Sequence, residues 1–190
     1  HSTKLALDCG FDAVEIHMGH GYLIDQFFDS RVNDRTDKYG GTVENRCRFS
    51  LELLNVLIET FGSEKIIIRI SPSRFMGEIY NWPDLDEMLS YFISNIQKIG
   101  LKMIDISCAN ANYHETSGMV IRKVRKLGFD GIIIGGASLS LKEASHEVNE
   151  SCVDLVTWGR GILANVDFVE KLQNNEELLG MTDEMRSELY

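Results

Sequence analysis

Ala13-Val14-Glu15-Ile16-His17-Met18-Gly19-His20-Gly21-Tyr22 runs a short apolar segment straight into a polar turn broken by glycine. The same plan recurs along the chain. Ile66–Ile70, Met103–Ile106, Gly131–Ile134 and Leu155–Thr157 are further runs of strand length, rich in Ile and Val. They alternate little, as strands buried on both faces do. Polar residues or glycine follow each one: His17, Arg69 with Ser71, Ser107 to Asn112, Gly135 to Ser138, and Gly159-Arg160.

Helical patterns separate these runs. Leu85, Met88, Leu89, Phe92, Ile96 and Ile99 form a stripe at helical spacing, and Asp84 with Glu87 three residues on resembles a capping box at its start. Phe49, Leu53, Leu57 and Phe61 form a second stripe after Gly40-Gly41-Thr42, and Ser140 with Glu143 makes a capping box before Ala144 and Val148. Gly10-Phe11-Asp12, Gly100-Leu101-Lys102 and Gly128-Phe129-Asp130 each stand before a strand, where glycine suits the left-handed end of a helix. This alternation predicts a parallel α/β fold in one domain over 1–190. A doubly wound sheet and a (β/α)8 barrel both place sites at the carboxyl ends of strands, but only the barrel gathers successive ends round one centre. Polar ends on consecutive strands favour the barrel, and no GxGxxG follows a strand.

A formal charge of −10 argues against a nucleic-acid partner, whose phosphates need clustered Lys and Arg. Arg122, Lys123, Arg125 and Lys126 alternate with Val120, Val124 and Leu127 and read as a solvated helix face. No apolar run reaches the roughly 18 residues of a membrane span, and no signal peptide opens the chain, so a soluble, cytoplasmic protein without a membrane partner is expected. Cys9, Cys47, Cys108 and Cys152 lack close spacing and read as buried small hydrophobes, with no metal site. His114 and His146 sit in polar contexts and are expected to face solvent. His1 opens the chain where a methionine would stand, and Ser2 to Cys9 read as the tail of a helix already under way, so further chain is expected upstream.

The residues suited to chemistry concentrate in His17-Met18-Gly19-His20-Gly21-Tyr22-Leu23-Ile24-Asp25-Gln26-Phe27. Two imidazoles three residues apart, with a phenol two further on, allow three uses. They can be metal ligands, although no third ligand is evident. They can be satisfied structural histidines. They can also be donors that polarise a carbonyl oxygen while Tyr22 delivers a proton.

Downstream stands Asn33-Asp34-Arg35-Thr36-Asp37-Lys38-Tyr39-Gly40-Gly41-Thr42-Val43-Glu44-Asn45-Arg46-Cys47-Arg48-Phe49. Joined to His17–Phe27, it closely resembles the HxxHGYLxxQF…NxRTDxYGGSxENRxRF signature of the Old Yellow Enzyme family of FMN-dependent NAD(P)H oxidoreductases. The similarity continues in strand-end order to Asp167. It implies a partial (β/α)8 TIM barrel made of about five C-terminal β/α units, the family's strands 4 to 8. It also implies an ene-reductase that uses FMN and NAD(P)H to reduce the C=C bond of α,β-unsaturated carbonyl or nitro compounds.

On that resemblance His17 and His20 bind the substrate oxygen and Tyr22 is the proton donor. Arg69 stands beside the flavin N1 and C2 carbonyl; the structural alternative is an arginine paired with a carboxylate inside the barrel. Gly136, Ala137, Ser138, Gly159 and Arg160 hold the FMN phosphate. Arg35, Asp37, Glu44, Asn45 and Arg46 brace the loop that carries the signature. The sequence departs from the family at Ala137 and Ser138, at Asp29-Ser30 and at Val166. The family's first three strands, with a Thr and a Gln for the isoalloxazine ring, would lie upstream. The resemblance therefore leaves room for a homo-oligomer or a separate N-terminal barrel portion as partner. Rival readings are a dihydroorotate dehydrogenase-like FMN barrel, which the His-His-Tyr run opposes, and a catalytically silent barrel fragment that binds a ligand or partner.

Overall fold

The computed structural model describes residues 1–108, 111–136 and 139–187. The elements run α1 (Ser2–Asp8), β1 (Val14–His17), α2 (Leu23–Phe28), α3 (Val43–Phe61), β2 (Ile66–Ile70), a hairpin of β3 (Ser73–Phe75) and β4 (Ile79–Asn81), then α4 (Leu85–Ile99). They continue with β5 (Met103–Ile106), α5 (Ser117–Lys126), β6 (Ile132–Gly136), α6 (Leu141–Asn149), β7 (Leu155–Thr157), α7 (Gly159–Ala164), α8 (Phe168–Asn174) and α9 (Asp183–Ser187). Packing divides the chain into two compact units, His1–Val156 and Thr157–Tyr190.

The main sheet has the order β1-β2-β5-β6-β7, and the first four strands pair in parallel. Spatial order thus follows chain order with no reversal, whereas a doubly wound sheet has a switch point where the order turns back. Successive β/α units laid side by side are what a barrel requires.

Register places His17 beside Arg69 and Arg69 beside Asp105, so these three share one face of the sheet at its carboxyl end. The opposite face is the core. Ile66, Ile68, Ile70, Ile104, Ile106 and Ile133 have no exposed surface, and α3 packs on β2 while α5 packs on β5 and β6. Burial on both faces, as read from the sequence, is therefore corrected. Glu15, His17 and Ile132 are exposed and Ile67, Arg69, Met103 and Ile134 only half-buried, because helices cover one face of these strands.

The three helix-to-strand joints follow their glycines. Gly10, Gly100 and Gly128 have φ of 95°, 89° and 84°, and the next residue in each case donates its N–H five residues back: Phe11 to Ala6, Leu101 to Ile96 and Phe129 to Val124. This is the 6→1 bond of a Schellman motif. Ser140 and Glu143 form the capping box expected of them. Asp84 does not cap α4. It adopts a left-handed conformation without a capping bond, and its carboxylate pairs instead with the buried Arg46 guanidinium at 3.1 Å.

The α3 stripe is also displaced. Its buried residues are Val43, Arg46, Cys47, Ser50 and Leu54, while Phe49 lies on the flank, stacked on Phe27 at 4.5 Å. Of the cysteines, Cys47 and Cys108 are buried as expected, but Cys9 is exposed at the end of α1 and Cys152 is half-buried. The basic face of α5 is less solvated than its pattern suggested: Arg122 pairs with the buried Glu147 at 2.6 Å, Lys123 with Asp86 at 2.5 Å, and Arg125 with Asp154.

In the second unit Asn165, 1% exposed, is the hub. Its amide donates to Gly161 O and Leu179 O at 2.9 and 3.0 Å and accepts from Leu179 N at 2.9 Å. Trp158 and Phe168 pack with ring centroids 5.5 Å apart. Among the described residues no helix is long and apolar enough to cross a membrane.

Candidate active site

The polar ends of β1, β2 and β5 meet on the first unit. Met18 N–H donates to Arg69 O at 2.8 Å, which carries the β1–β2 ladder one residue past the strand and sets the course of the following turn. Gly19 then passes so close to β2 that a β-carbon would sit 2.7 Å from Ser71 Oγ and 2.9 Å from Ser71 N, a contact no larger residue can make. From this turn His17, His20 and Tyr22 converge. The imidazoles stack at 5.3 Å with an interplanar angle of 11°, and the Tyr22 ring stands edge-on to His17 at 5.3 Å.

Both imidazoles are biased toward the neutral form. Burial, with the Arg69 charge, lowers the pKa of His17 against the opposing pull of Glu15 and Asp25. Burial, then Arg69, His17 and Arg74, brings His20 down to about 4. A neutral imidazole has one N–H to give an oxygen, and His20 Nε2 is buried with no partner among the described residues. Tyr22 is 66% exposed.

Arg69 reaches along the same row. Its Nη2 donates to Ser107 Oγ at 2.9 Å, Nε lies 3.3 Å from Asp105 Oδ2, and Nη1 lies 3.9 Å from Glu15. The Asp105 contact is an ion pair without hydrogen-bond alignment, since Arg69 Nε and Asp105 Oδ1 are both buried without a hydrogen-bond partner. Burial pushes the Asp105 carboxyl up to about 6, and Arg69 opposes that shift. Arg69 thus has the carboxylate neighbour of its structural alternative, yet its side chain stays 40% exposed.

Of the residues proposed for a phosphate, Gly136 ends β6 and is buried. Ala137 and Ser138 lie outside the described residues. Gly159 and Arg160 begin α7 in the second unit, with open space around Gly159 where a side chain would stand. Among the described residues no group of three His, Cys, Asp or Glu side chains is placed to hold a metal ion.

Part of the set expected to brace the loop after α2 does so, whereas Arg46 pairs with Asp84 and Glu44 with Arg48. Asn33 Nδ2 donates to Phe27 O and Tyr39 O at 2.8 Å each, Asn45 Nδ2 to Gly40 O at 3.1 Å, and Arg35 pairs with Asp37. A layer behind the site has almost no signature in the sequence. Asp25, 1% exposed, binds Arg74 Nη2, Trp82 Nε1 and Gly21 N at 2.8 Å each. The one hint in the sequence is an aspartate inside the apolar run Leu23-Ile24-Asp25-Gln26-Phe27-Phe28.

The chain is 36% identical over 176 residues to a putative 12-oxophytodienoate reductase 11 of Oryza sativa subsp. japonica, covering 90% of this chain and 47% of that protein. It is 34% identical to 12-oxophytodienoate reductase 2 of Arabidopsis thaliana, with 90% and 46% covered. The solved old yellow enzyme from Trypanosoma cruzi superposes with a TM-score of 0.83 at 25% identity, over 96% of this chain and 48% of that one. The chain therefore spans about half the length of the relatives it matches. The sequence pattern of the NADH:flavin oxidoreductase / NADH oxidase family, whose members use FMN, matches residues 1–178, and the chain belongs to that family.

Proposed function

We propose that this chain carries the oxygen-binding and proton-donating half of an ene-reductase site, acting on α,β-unsaturated carbonyl or nitro compounds. The observation that carries this reading is the convergence of two imidazoles and an exposed phenol at one strand end. His17 and His20 hold the substrate oxygen and bind it more tightly as enolate charge develops there. Tyr22 gives its proton to the α carbon.

FMN, when bound, would supply the hydride chemistry that links NAD(P)H oxidation to reduction at the substrate's β carbon. The ring end of the cofactor suits these strand ends. Arg69 supplies a partly exposed cation, which favours an anionic reduced flavin, and the uncommitted Nε2 of His20 lies close to the same row. The residues the sequence offers to a phosphate are Gly136, Ala137 and Ser138 in the first unit and, separately, Gly159 and Arg160 in the second, by backbone N–H and guanidinium.

The test is Tyr22→Phe in the flavin-loaded protein. Reoxidation of the flavin by an enone is expected to slow about 10²–10⁴-fold, while flavin reduction by NAD(P)H stays nearly unchanged, since only the first of these consumes the phenol proton. Equal slowing of both halves would make Tyr22 structural.

A further inference from the structure

His20 and Tyr22 project from a turn with no regular structure of its own, and His20 has φ of 57°. A residue bearing a β-carbon keeps that conformation only where its surroundings over-determine it. Here the surroundings are a chain of buried polar groups from the start of the hairpin. Ser71 Oγ accepts the His20 N–H at 2.5 Å. Arg74 Nη1 donates to Ser71 O at 2.9 Å and to its hydroxyl at 3.2 Å, while Arg74 Nη2 lies 2.8 Å from Asp25 Oδ2.

Asp25 closes the chain. It accepts the Gly21 N–H at 2.8 Å and the Trp82 indole N–H at 2.8 Å. Ser71, Arg74, Asp25 and Trp82 are 0, 4, 1 and 2% exposed. An ion pair this deep is a poor device for stability, because desolvation offsets most of its Coulomb gain. It is a good device for geometry: its two ends grip the backbone on both sides of His20, at His20 N and Gly21 N.

We propose that Ser71, Arg74 and Asp25 are positioning residues that fix the His20 imidazole and, through Gly21, the Tyr22 phenol for oxygen binding and proton delivery. This rests on the assignment of that step to His17, His20 and Tyr22. None of the three touches the reacting atoms; each acts through the turn. Displacement of a catalytic group by about 1 Å can cost about 10²-fold in rate, so a small loss of grip is enough to be measured.

The experiment is a double-mutant cycle on the flavin-loaded protein, reading flavin reoxidation by 2-cyclohexenone separately from flavin reduction by NADPH. Ser71→Ala is expected to slow reoxidation about tenfold in the otherwise native protein and under about twofold in a His20→Ala, Tyr22→Phe background, where neither group is left to position. Asp25→Asn keeps the shape of the network, follows the same pattern, and carries the test if Ser71→Ala does not fold. Equal losses in both backgrounds would show a merely structural role and overturn the proposal. If His20→Ala and Tyr22→Phe themselves leave reoxidation unchanged with flavin bound, the assignment of the step fails and the proposal falls with it. That pattern differs from additive loss.

Discussion

At the scale of single residues, two opposed titrations stand at the same strand ends. His20, lowered to about 4 by burial and by the charges of Arg69, His17 and Arg74, binds a proton in the unfolded chain that the folded site refuses. Stability on its account is full above about pH 6.5 and falls as pH drops toward 4. Asp105, raised to about 6 by burial, works the other way: its contribution is full below the ordinary carboxylate range and is lost as pH rises through 6. His20→Asn is therefore expected to raise stability at pH 5 relative to pH 7, and Asp105→Asn to lower it, as read by urea unfolding at the two pH values. Shifts of the same sign in both variants would contradict these assignments. Gly19→Ala tests the close approach to Ser71. Its methyl group must displace the turn or β2, at an expected cost of about 1–3 kcal/mol in the same assay. The His-His-Tyr group was legible because a contiguous motif holds it. Asp25 and Arg74 were not, because a partnership between residues some fifty positions apart leaves no local period to read.

At the scale of elements, strands and joints were readable where one local rule sufficed. Ile66–Ile70, Met103–Ile106 and Leu155–Thr157 match their apolar runs residue for residue, and each joint glycine takes the left-handed turn its position calls for. The hairpin of β3 and β4 carries no such signal. Three-residue strands about Met76-Gly77-Glu78 are too short to show alternation, and Pro72 just before them reads only as a break. Asp84 failed as a cap because a tertiary partner, the buried Arg46, outweighs a local bond to the helix backbone. Ser140 met no such competitor. Ser140→Ala is expected to destabilise the fold by about 1 kcal/mol in thermal or denaturant melts, with no effect on flavin reoxidation. An unchanged midpoint would mean that α6 is frayed at its start in solution.

At the scale of the whole molecule, the sheet of the first unit is dressed by helices on one face. The other carries exposed Ile132 and half-buried Ile67, Met103 and Ile134, and β1 stands at the end of the strand order. Apolar side chains beside a free strand edge promote association. The 190-residue chain alone is therefore expected to self-associate in size-exclusion chromatography and to bind a hydrophobic dye, whereas a dye-silent monomer would show this face to be covered. The two tryptophans fall one to each unit: Trp82, 2% exposed and hydrogen-bonded to Asp25, in the first, and Trp158, packed on Phe168, in the second. Each unit thus has its own intrinsic fluorophore. In a Trp158→Phe protein the remaining emission comes from an indole bonded to the network behind His20, so its wavelength becomes an optical gauge of that turn; in a Trp82→Phe protein the light reports the second unit alone, and the two can be watched melting in separate cuvettes.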